Sequence, residues 1–400
     1  MTSSTWETVR VSDIADVRGG KRLPKGKSLT KNKTRFPYIR VSDMYPGSVS
    51  LDDLHYVPDD VAPLISRYRI FADDIFISVA GTLGIVGRIP KKLDGANLTE
   101  NADRLTGIKC DIDYLQYFLM SDTIQSEILA VQTVGAQPKL ALGRIQGFEV
   151  GLPKSRSEQE NISSTLKKID KYLLAIDGLI SKKRDIKQGV LQQLLTGRTR
   201  LPGFGGKWKQ FKVVDLCEPS SKKAWPAKVS SETLLIEMDQ IGQGTGTLLF
   251  SRSSSEATSM KSYFESGDVL FGKLRSYLRK YLLATSPGLC STEFWVLKPK
   301  HQVTSEYLRY LVETDEFVNT ASEGAGTHMP RAEWNVVKNL EFKIPPMFEQ
   351  EAIGQVLLTL DKEISLLEQK LAKVKDIKQG MMQQLLTGRV RLPLDQEVKA

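Results

Sequence analysis

The stretch "DIKQGVLQQLLTGRTRLP" at 185–202 returns near the end of the chain as "DIKQGMMQQLLTGRVRLP" at 376–393, with 15 of 18 positions identical. The same offset of 191 pairs "EQE" at 158–160 with "EQE" at 349–351, and Asp170 with Asp361. The repeat therefore spans 158–202 and 349–393. A repeat of this length indicates a duplicated architecture, and it is stronger evidence on the fold than any single motif.

Apolar residues in both copies recur at alternating spacings of four and three, which is typical of long amphipathic helices. They are Ile162, Leu166, Ile169, Leu173, Ile176 and Ile180 in the first copy, and Ile353, Leu357, Leu360, Ile364, Leu367, Leu371 and Val374 in the second. Ser157 and Glu160 fit a capping box, whereas Phe348 replaces the serine in the second copy. Gly197 and Gly388 stand where a glycine would end each helix. We expect two helices that pack on each other as an antiparallel coiled coil.

In the segments that follow the heptads, 185–202 and 376–393, polar residues are repeated as closely as apolar residues. Packing between helices constrains only apolar faces, so the sequence favours two copies of one partner-docking surface, with recent duplication as the alternative. The docking residues would be Lys187, Gln188, Gln192 and Arg198 in one copy and Lys378, Gln379, Gln383 and Arg389 in the other. Gly189 and Gly380, which lower helix propensity, suggest a close backbone approach at the same place.

The segments that precede the helices resemble each other faintly and combine short β-rich runs with one helix each, at 114–129 and 307–320. The expected class is α+β, with two mixed α/β domains alternating with two long helices. The predicted segments are domain 1 (1–153), helical region 1 (154–200), domain 2 (201–345) and helical region 2 (346–400).

Positive charge is concentrated near the start of the chain. The whole chain has 56 Lys and Arg against 47 Asp and Glu, but residues 18–40 contain nine Lys or Arg and no acid. Charges without nearby acids favour a phosphate backbone as partner, with a solvated loop as the alternative. The residues are Arg18, Lys21, Arg22, Lys25, Lys27, Lys31, Lys33, Arg35 and Arg40. We expect Phe36 and Tyr38 to anchor this segment to the core.

Smaller sets of candidate DNA-binding residues lie in domain 2 and in a late loop of each domain. Domain 2 contributes Lys222, Lys223, Lys273, Arg275, Tyr277, Arg279 and Lys280. The late loops contribute Gln137, Lys139 and Arg144, and His328 and Arg331, which are residue types that hydrogen-bond to base edges. An exposed strand edge or a turn before a strand would have similar sequences.

Catalytic and metal-binding patterns are absent from the sequence. "GKS" at 26–28 lacks the upstream glycine of a phosphate-binding loop, because Lys21 stands there. Cys110, Cys217 and Cys290 form no CxxC pair, and the histidines have no metal-ligand spacing. The chain shows no signal peptide and no apolar run of about 18 residues. We expect a cytoplasmic protein that has no membrane partner and catalyses no reaction itself.

The organisation resembles the specificity subunits of type I restriction-modification systems over essentially the whole chain. The most specific elements are "LPKSRSEQE" and "IPPMFEQE" before the helices, and "KQGVLQQLLTGRTRLPGF" and "KQGMMQQLLTGRVRLP" at their ends. "GF" is absent after Pro393. The recognition domains vary too much within the family to assign contacts residue by residue, so the candidate DNA-binding residues rest on charge.

The resemblance implies two target-recognition domains that each bind one half of a bipartite double-stranded DNA site in the major groove. Two modification subunits, which carry adenine methylation and S-adenosylmethionine, would dock on the repeated helical surfaces. Restriction subunits with ATP and Mg would join through the assembly, so that this chain needs no cofactor of its own. The alternative is a coiled-coil adaptor with two protein-binding domains and no sequence-specific DNA binding. An RNA-binding or RNA-modifying enzyme would need catalytic residues that the sequence lacks.

Overall fold

The computed structural model describes residues 5–131, 138–323 and 330–393. The chain forms two compact units: unit 1 consists of Met1–Asp177 with Lys370–Ala400, and unit 2 of Gly178–Gln369. Each unit thus combines one mixed domain with the first part of one long helix and the last part of the other. The four predicted segments follow the order of the chain, whereas the compact units take residues from both helical regions.

Unit 1 begins with a strand that pairs with the last strand of its domain. Its strands are β1 (Trp6–Arg10), β2 (Asp16–Gly19), β3 (Pro37–Ile39), β4 (Met44–Tyr45), β5 (Ser48–Val49), β6 (His55–Tyr56), β7 (Arg69–Ile70), β8 (Ile75–Ser78), β9 (Val86–Gly87), β10 (Ala96–Leu98), β11 (Ala102–Thr106) and β12 (Glu149–Pro153). Its helices are α1 (Val11–Ile14), α2 (Ile112–Leu119), α3 (Asp122–Ala130), α4 (Leu142–Gln146) and the first part of α5 (Arg156–Leu195). The sheets have the orders β1-β12, β2-β11-β8-β9, β6-β3-β10-β7 and β4-β5.

Unit 2 repeats this topology. Its strands are β13 (Lys209–Lys212), β14 (Cys217–Pro219), β15 (Lys223–Ala224), β16 (Leu234–Ile236), β17 (Arg252–Ser253), β18 (Lys261–Phe264), β19 (Val269–Gly272), β20 (Tyr281–Leu283), β21 (Gly288–Cys290), β22 (Phe294–Pro299) and β23 (Glu341–Ile344). Its helices are α6 (Val213–Leu216), α7 (Ser305–Leu311), α8 (Asp315–Ser322), α9 (Trp334–Val337) and the first part of α10 (Met347–Leu385). The sheets are β13-β23, β14-β22-β19-β20 and β15-β18-β21-β16-β17. Except for the added β15, both larger sheets match those of unit 1 in order, which confirms two related domains of the α+β class.

Each helix predicted within a domain is in fact two short helices. The break falls at Ser121 in unit 1, whose hydroxyl donates to the carbonyl of Phe118 at 2.6 Å, and at Thr314 in unit 2. The Thr314 side chain accepts a hydrogen bond from the backbone N–H of Phe317 and so begins a new helix. The apolar pattern continues across both breaks, which is why it could not reveal them.

The long helices begin and end close to the predicted residues. Helix α5 has 40 residues and starts at Arg156, so that Ser157 lies inside the helix and the predicted capping box does not form at its start. Both helices end before a glycine in the left-handed region, Gly197 at φ +68° and Gly388 at φ +69°. Only glycine adopts this conformation at low cost, and the predicted helix ends are confirmed.

The heptad residues at the start of each long helix are buried in the core of a unit. Ile162 and Leu166 belong to the core of unit 1, together with residues such as Tyr114. Ile353 and Leu357 lie in the core of unit 2. The start of each helix is therefore packed on its own domain, whereas the heptad pattern alone predicted packing on the other long helix.

Candidate nucleic-acid interface

The basic segment forms a loop between β2 and β3 that is held at both ends. The Lys21 N–H donates to the Leu98 carbonyl at 2.8 Å, and the Tyr38 hydroxyl donates to the Lys21 carbonyl at 3.0 Å. Gly20 is required here because a Cβ would stand 2.0 Å from the Thr99 carbonyl oxygen. Tyr38 is buried and Phe36 packs beside it, so the predicted anchoring role of both rings is confirmed. Burial raises the pKa of Tyr38 to about 12.

Many charges of this segment have acidic partners just outside it or farther along the chain, which corrects the view that the segment is uncompensated. Five of its nine cations form ion pairs, namely Arg18 with Asp16, Arg22 with Glu100, Lys27 with Asp60, Lys31 with Asp53 and Arg40 with Asp43. Lys25, Lys33 and Arg35 are exposed and form no ion pair with the described residues, and Lys21 stacks on the Tyr68 ring. The loop keeps an outward positive face, formed mainly by these four side chains.

The late loop of unit 1 meets the start of the basic loop. Lys21, Arg22 and Lys139 line one open cleft of about 650 Å³, and Arg22 and Lys139 also line a neighbouring cleft of about 480 Å³. Arg144 is exposed on α4. Gln137 lies outside the described residues. Three predicted DNA-binding residues are thus brought together in unit 1.

Two acidic residues of this cleft were not among the predicted site residues. Glu100 and Asp103 line it together with the three cations. Asp103 lies on β11, where a carboxylate among the buried residues of "ADRLT" is the signal that could have revealed it. A prediction based on clustered cations does not include such a residue.

In unit 2 the predicted residues divide between two surfaces. Lys222 and Lys223 are exposed at β15, where Lys222 pairs with Glu265 at 3.2 Å and covers the Tyr263 ring. Arg331 is paired with Glu293 at 2.9 Å, and its hydrogen bonds hold the pKa of Glu293 below its usual value. His328 lies outside the described residues.

A tight turn presents the remaining candidates. Arg275 and Arg279 adopt left-handed backbone conformations, at φ 52° and φ 50°, on either side of Ser276–Leu278. Such conformations are unfavourable for arginine and are concentrated at functional sites. Tyr277 at the tip is 52% exposed. The Lys273 side chain is half-buried, Lys280 donates to the Met238 carbonyl, and Arg279 pairs with Asp315, so Arg275 and Tyr277 are the side chains the turn exposes.

The repeated polar residues form the same joint in each unit, by which we mean an ion pair between one copy of the repeat and the other, here between a lysine and an aspartate. In unit 2, Lys187 pairs with Asp361 at 2.8 Å, and Tyr310 donates to Asp361 at 2.8 Å. In unit 1, Lys378 pairs with Asp170 at 2.6 Å, and Tyr117 donates to Asp170 at 2.6 Å. Burial raises the pKa of both tyrosines.

A second joint repeats in the same manner. Arg391 pairs with Glu158 at 2.8 Å in unit 1, and Arg200 pairs with Glu349 at 2.5 Å in unit 2. In each unit, a higher residue number in the first helical region is paired with a lower residue number in the second. The two helical segments of each unit therefore run in opposite directions.

These joints correct two of the predicted docking residues. Lys187 is only 7% exposed and also pairs with Glu313 at 2.7 Å, while Lys378 is partly buried against Asp170. Both ammonium groups stabilise the interior of a unit and are not free for a partner. Gln188, Gln192, Arg198, Gln379, Gln383 and Arg389 are exposed, as the prediction requires. A Cβ at Gly189 or Gly380 would meet nothing within 4 Å, so no described residue makes the expected close approach.

The surfaces around the exposed glutamines differ between the units. Gln379 and Gln383 border a cleft of about 500 Å³ in unit 1, with Met120 and Met382 in its wall. Gln188 borders a cleft of only about 140 Å³ in unit 2, where Glu313 contributes to the wall.

The described residues include no group of three or more His, Cys, Asp or Glu side chains that could hold a metal ion. Cys110, Cys217 and Cys290 are buried and free. Within the described ranges, no helix is both long and apolar enough to span a membrane.

Comparisons with known proteins agree with this architecture. The chain matches the profile of the type I restriction modification DNA specificity domain at residues 3–183 and 205–376. It is 21% identical over 415 residues to the type I restriction enzyme MjaVIII specificity subunit of Methanocaldococcus jannaschii, covering 97% of this chain and 93% of that one. It is 24% identical over 195 residues to the EcoDI specificity subunit of Escherichia coli, covering 47% of this chain and 43% of that one.

A crystal structure of the type I restriction-modification S subunit from M. genitalium has the same fold, with a TM-score of 0.57 at 15% identity. The alignment covers 96% of this chain and 98% of that chain. The specificity subunits are the non-catalytic members of their systems, so the prediction of a non-catalytic protein is confirmed by the family. Two matches to one domain profile also account for the duplicated topology of the units. The chain belongs to the type I restriction modification DNA specificity domain family.

Proposed function

We propose that this chain recognises a bipartite, asymmetric sequence in double-stranded DNA, with each unit binding one half. The observation that carries the proposal is the duplicated domain with a different set of side chains in each copy. Unit 1 offers a basic cleft, whereas unit 2 offers an exposed turn with Arg275 and Tyr277. A shared frame with divergent contact residues is what an asymmetric site requires.

The long helices would pack as an antiparallel coiled coil and set the gap between the two half-sites. Support comes from the heptad spacing and from ion pairs such as Lys183 with Glu363 in unit 2, at 2.6 Å. Removing seven residues, or two helical turns, from both helices would keep the heptad register. It should shorten the preferred gap, and an unchanged gap would mean that the helices do not set it.

Two modification subunits would dock on the exposed repeated residues, one on each copy, and bring S-adenosylmethionine. Restriction subunits would join through that assembly and bring ATP and Mg. The docking surface consists of Gln188, Gln192 and Arg198 in one copy and Gln379, Gln383 and Arg389 in the other. Changing one set to Ala should reduce the number of bound modification subunits from two to one. We place the complex in the cytoplasm, where free cysteines stay reduced.

The test is selection from a random duplex library by the chain bound to its modification partner. We expect enrichment of two short sequence blocks at a fixed spacing. Binding with no preference over random duplex would overturn the proposal. An absence of salt-dependent DNA binding would favour the adaptor with two protein-binding domains.

A further inference from the structure

The cleft in unit 1 has a positive rim and an acidic wall. Lys21, Arg22 and Lys139 provide the cations, and Glu100 and Asp103 provide the acids. Phosphates would be attracted to the rim and repelled from the acids. A cleft that served only the DNA backbone would gain nothing from these carboxylates.

The two acids have different surroundings. Glu100 is held by Arg22 at 3.2 Å and accepts a hydrogen bond from the Thr99 hydroxyl at 3.2 Å. Its carboxylate is already engaged, and it fixes the position of Arg22. Glu100 is therefore a positioning residue.

Asp103 has no such partners. It is only 6% exposed, and its side chain forms no hydrogen bond or ion pair with any residue in 5–131, 138–323 or 330–393. Burial raises the pKa of its carboxyl, and the charge of Lys139 opposes this effect. The carboxylate oxygens of Asp103 are not sealed from solvent but open to the cleft. A mostly buried carboxylate that no described residue pairs with is free to accept a hydrogen bond from a ligand there.

The backbone leaves the carboxylate open on one side. Asp103 pairs across the sheet with Gly19 on β2 and with Ile77 on β8. A Cβ on Gly19 would stand 3.4 Å from the Oδ1 atom of Asp103, so glycine leaves this oxygen unobstructed. The acceptor lines the cleft beside Lys139.

Unit 2 has no acceptor at the matching position. Trp295 pairs with Phe271 on β19 as Asp103 pairs with Ile77 on β8. The Trp295 ring packs on Phe271, with centroids 5.9 Å apart, and on Trp334 at 5.5 Å. The sheet therefore does not require an acid here.

DNA offers few donors to a carboxylate. In the major groove they are the N4 amino group of cytosine and the N6 amino group of adenine. Resting on the proposed function, we propose that Asp103 accepts a hydrogen bond from a cytosine or adenine amino group in the half-site bound by unit 1. Lys21 and Lys139 then hold the flanking phosphates, and Asp103 determines one base of the recognised sequence.

The experiment measures the affinity of the chain with its modification partner for the selected duplex, in which single amino groups are deleted. Purine replaces each adenine in turn, and 2-pyrimidinone replaces each cytosine. For wild type, one substitution should weaken binding about 10- to 100-fold, because the Asp103 carboxylate no longer receives a hydrogen bond. The base at that position identifies adenine or cytosine as the ligand. Asp103→Ala should bind the substituted and unsubstituted duplexes equally at that position.

Asp103→Asn, which keeps the shape of the side chain, serves as a second variant. Because asparagine pairs with N6 and N7 of adenine, it should prefer adenine at this position, so a cytosine selected by wild type would be replaced by adenine. Asp59→Asn removes one exposed negative charge elsewhere in unit 1 and should behave as wild type. The inference fails if Asp103→Ala retains every penalty that wild type shows. If wild type itself prefers no sequence, the proposed function fails instead.

Discussion

A buried lysine connects the two copies of the repeat within unit 2. Lys187 contacts Asp361, which belongs to the other copy, and Glu313, which belongs to the domain. Arg309 is buried beside the same two acids, at 3.1 Å from Asp361 and 2.6 Å from Glu313. Two cations and two anions therefore balance inside this unit. Removing one member leaves an uncompensated charge.

Lys187→Met should destabilise unit 2 by about 3 kcal/mol, because it leaves two carboxylates with one cation. The matched change Lys378→Met should cost unit 1 about 1 kcal/mol, since Lys378 is less buried and pairs with one acid among the described residues, Asp170. Hydrogen exchange followed by mass spectrometry on the intact chain measures both units in one sample. Equal destabilisation in the two variants would contradict the charge balance described for unit 2.

Asp103 is a site where stability and DNA binding should oppose each other. Its folded-state pKa is raised, so the protonated form favours folding, and this contribution disappears as pH rises through the folded pKa. Asp103→Asn should therefore be more stable than wild type at pH 7, with the difference vanishing below about pH 3.9, the ordinary pKa of Asp. Urea unfolding at several pH values measures this. A variant less stable than wild type at pH 7 would contradict it.

The last turns of α10, near the end of the chain, complete the core of the domain at its start. Leu385 and Leu386 are buried in the core of unit 1, among residues such as Tyr114 and Ile162. Leu194 and Leu195 occupy the core of unit 2 in the same way. The end of helical region 2 thus contributes to the core of domain 1, and the end of helical region 1 contributes to the core of domain 2.

Leu386→Ala should lower the stability of unit 1 by about 3 kcal/mol, because it empties a buried position. Leu366→Ala, within α10, removes a side chain that is 65% exposed and should change stability by less than about 0.5 kcal/mol. Hydrogen exchange in peptides of 102–119 measures the core of unit 1. Unchanged exchange there in Leu386→Ala would mean that this core does not depend on α10.

Across the whole molecule, local patterns predicted local structure well. The heptads and the glycines at 197 and 388 indicated the long helices, because helix periodicity and positive φ are determined by nearby residues. Contacts between distant residues were not predictable. Glu100 neutralises Arg22 although it lies far along the chain, and Asp103 became a candidate only when the sheet placed it in a cleft beside Lys139.

The repeat shows the same limit. Identical polar residues indicated a shared surface, yet Lys187 and Lys378 are identical because each must meet an aspartate from the other copy. Because the lysine of each copy pairs with the aspartate of the other, both copies retain the same lysine and the same aspartate. Gln379 donates to Asp122 at 3.3 Å within unit 1. No contact between the two copies of the repeat explains the exposed glutamines among the described residues, which is why they remain the proposed docking surface.

The electrostatic contribution to DNA binding should come from the unpaired cations of the basic loop rather than from all nine. Lys25 and Lys33 are exposed and form no ion pair with a described residue. The double variant Lys25→Ala with Lys33→Ala should therefore have a shallower plot of log affinity against log salt concentration. The slope should decrease by about 0.9 for each phosphate that is no longer neutralised. Lys91→Ala with Lys92→Ala removes equal charge at another exposed turn and should leave the slope unchanged. Because phosphate contacts carry no sequence information, the first variant should bind every duplex more weakly while keeping the order of preferred sequences. An unchanged slope in both variants would assign the basic loop to solvent.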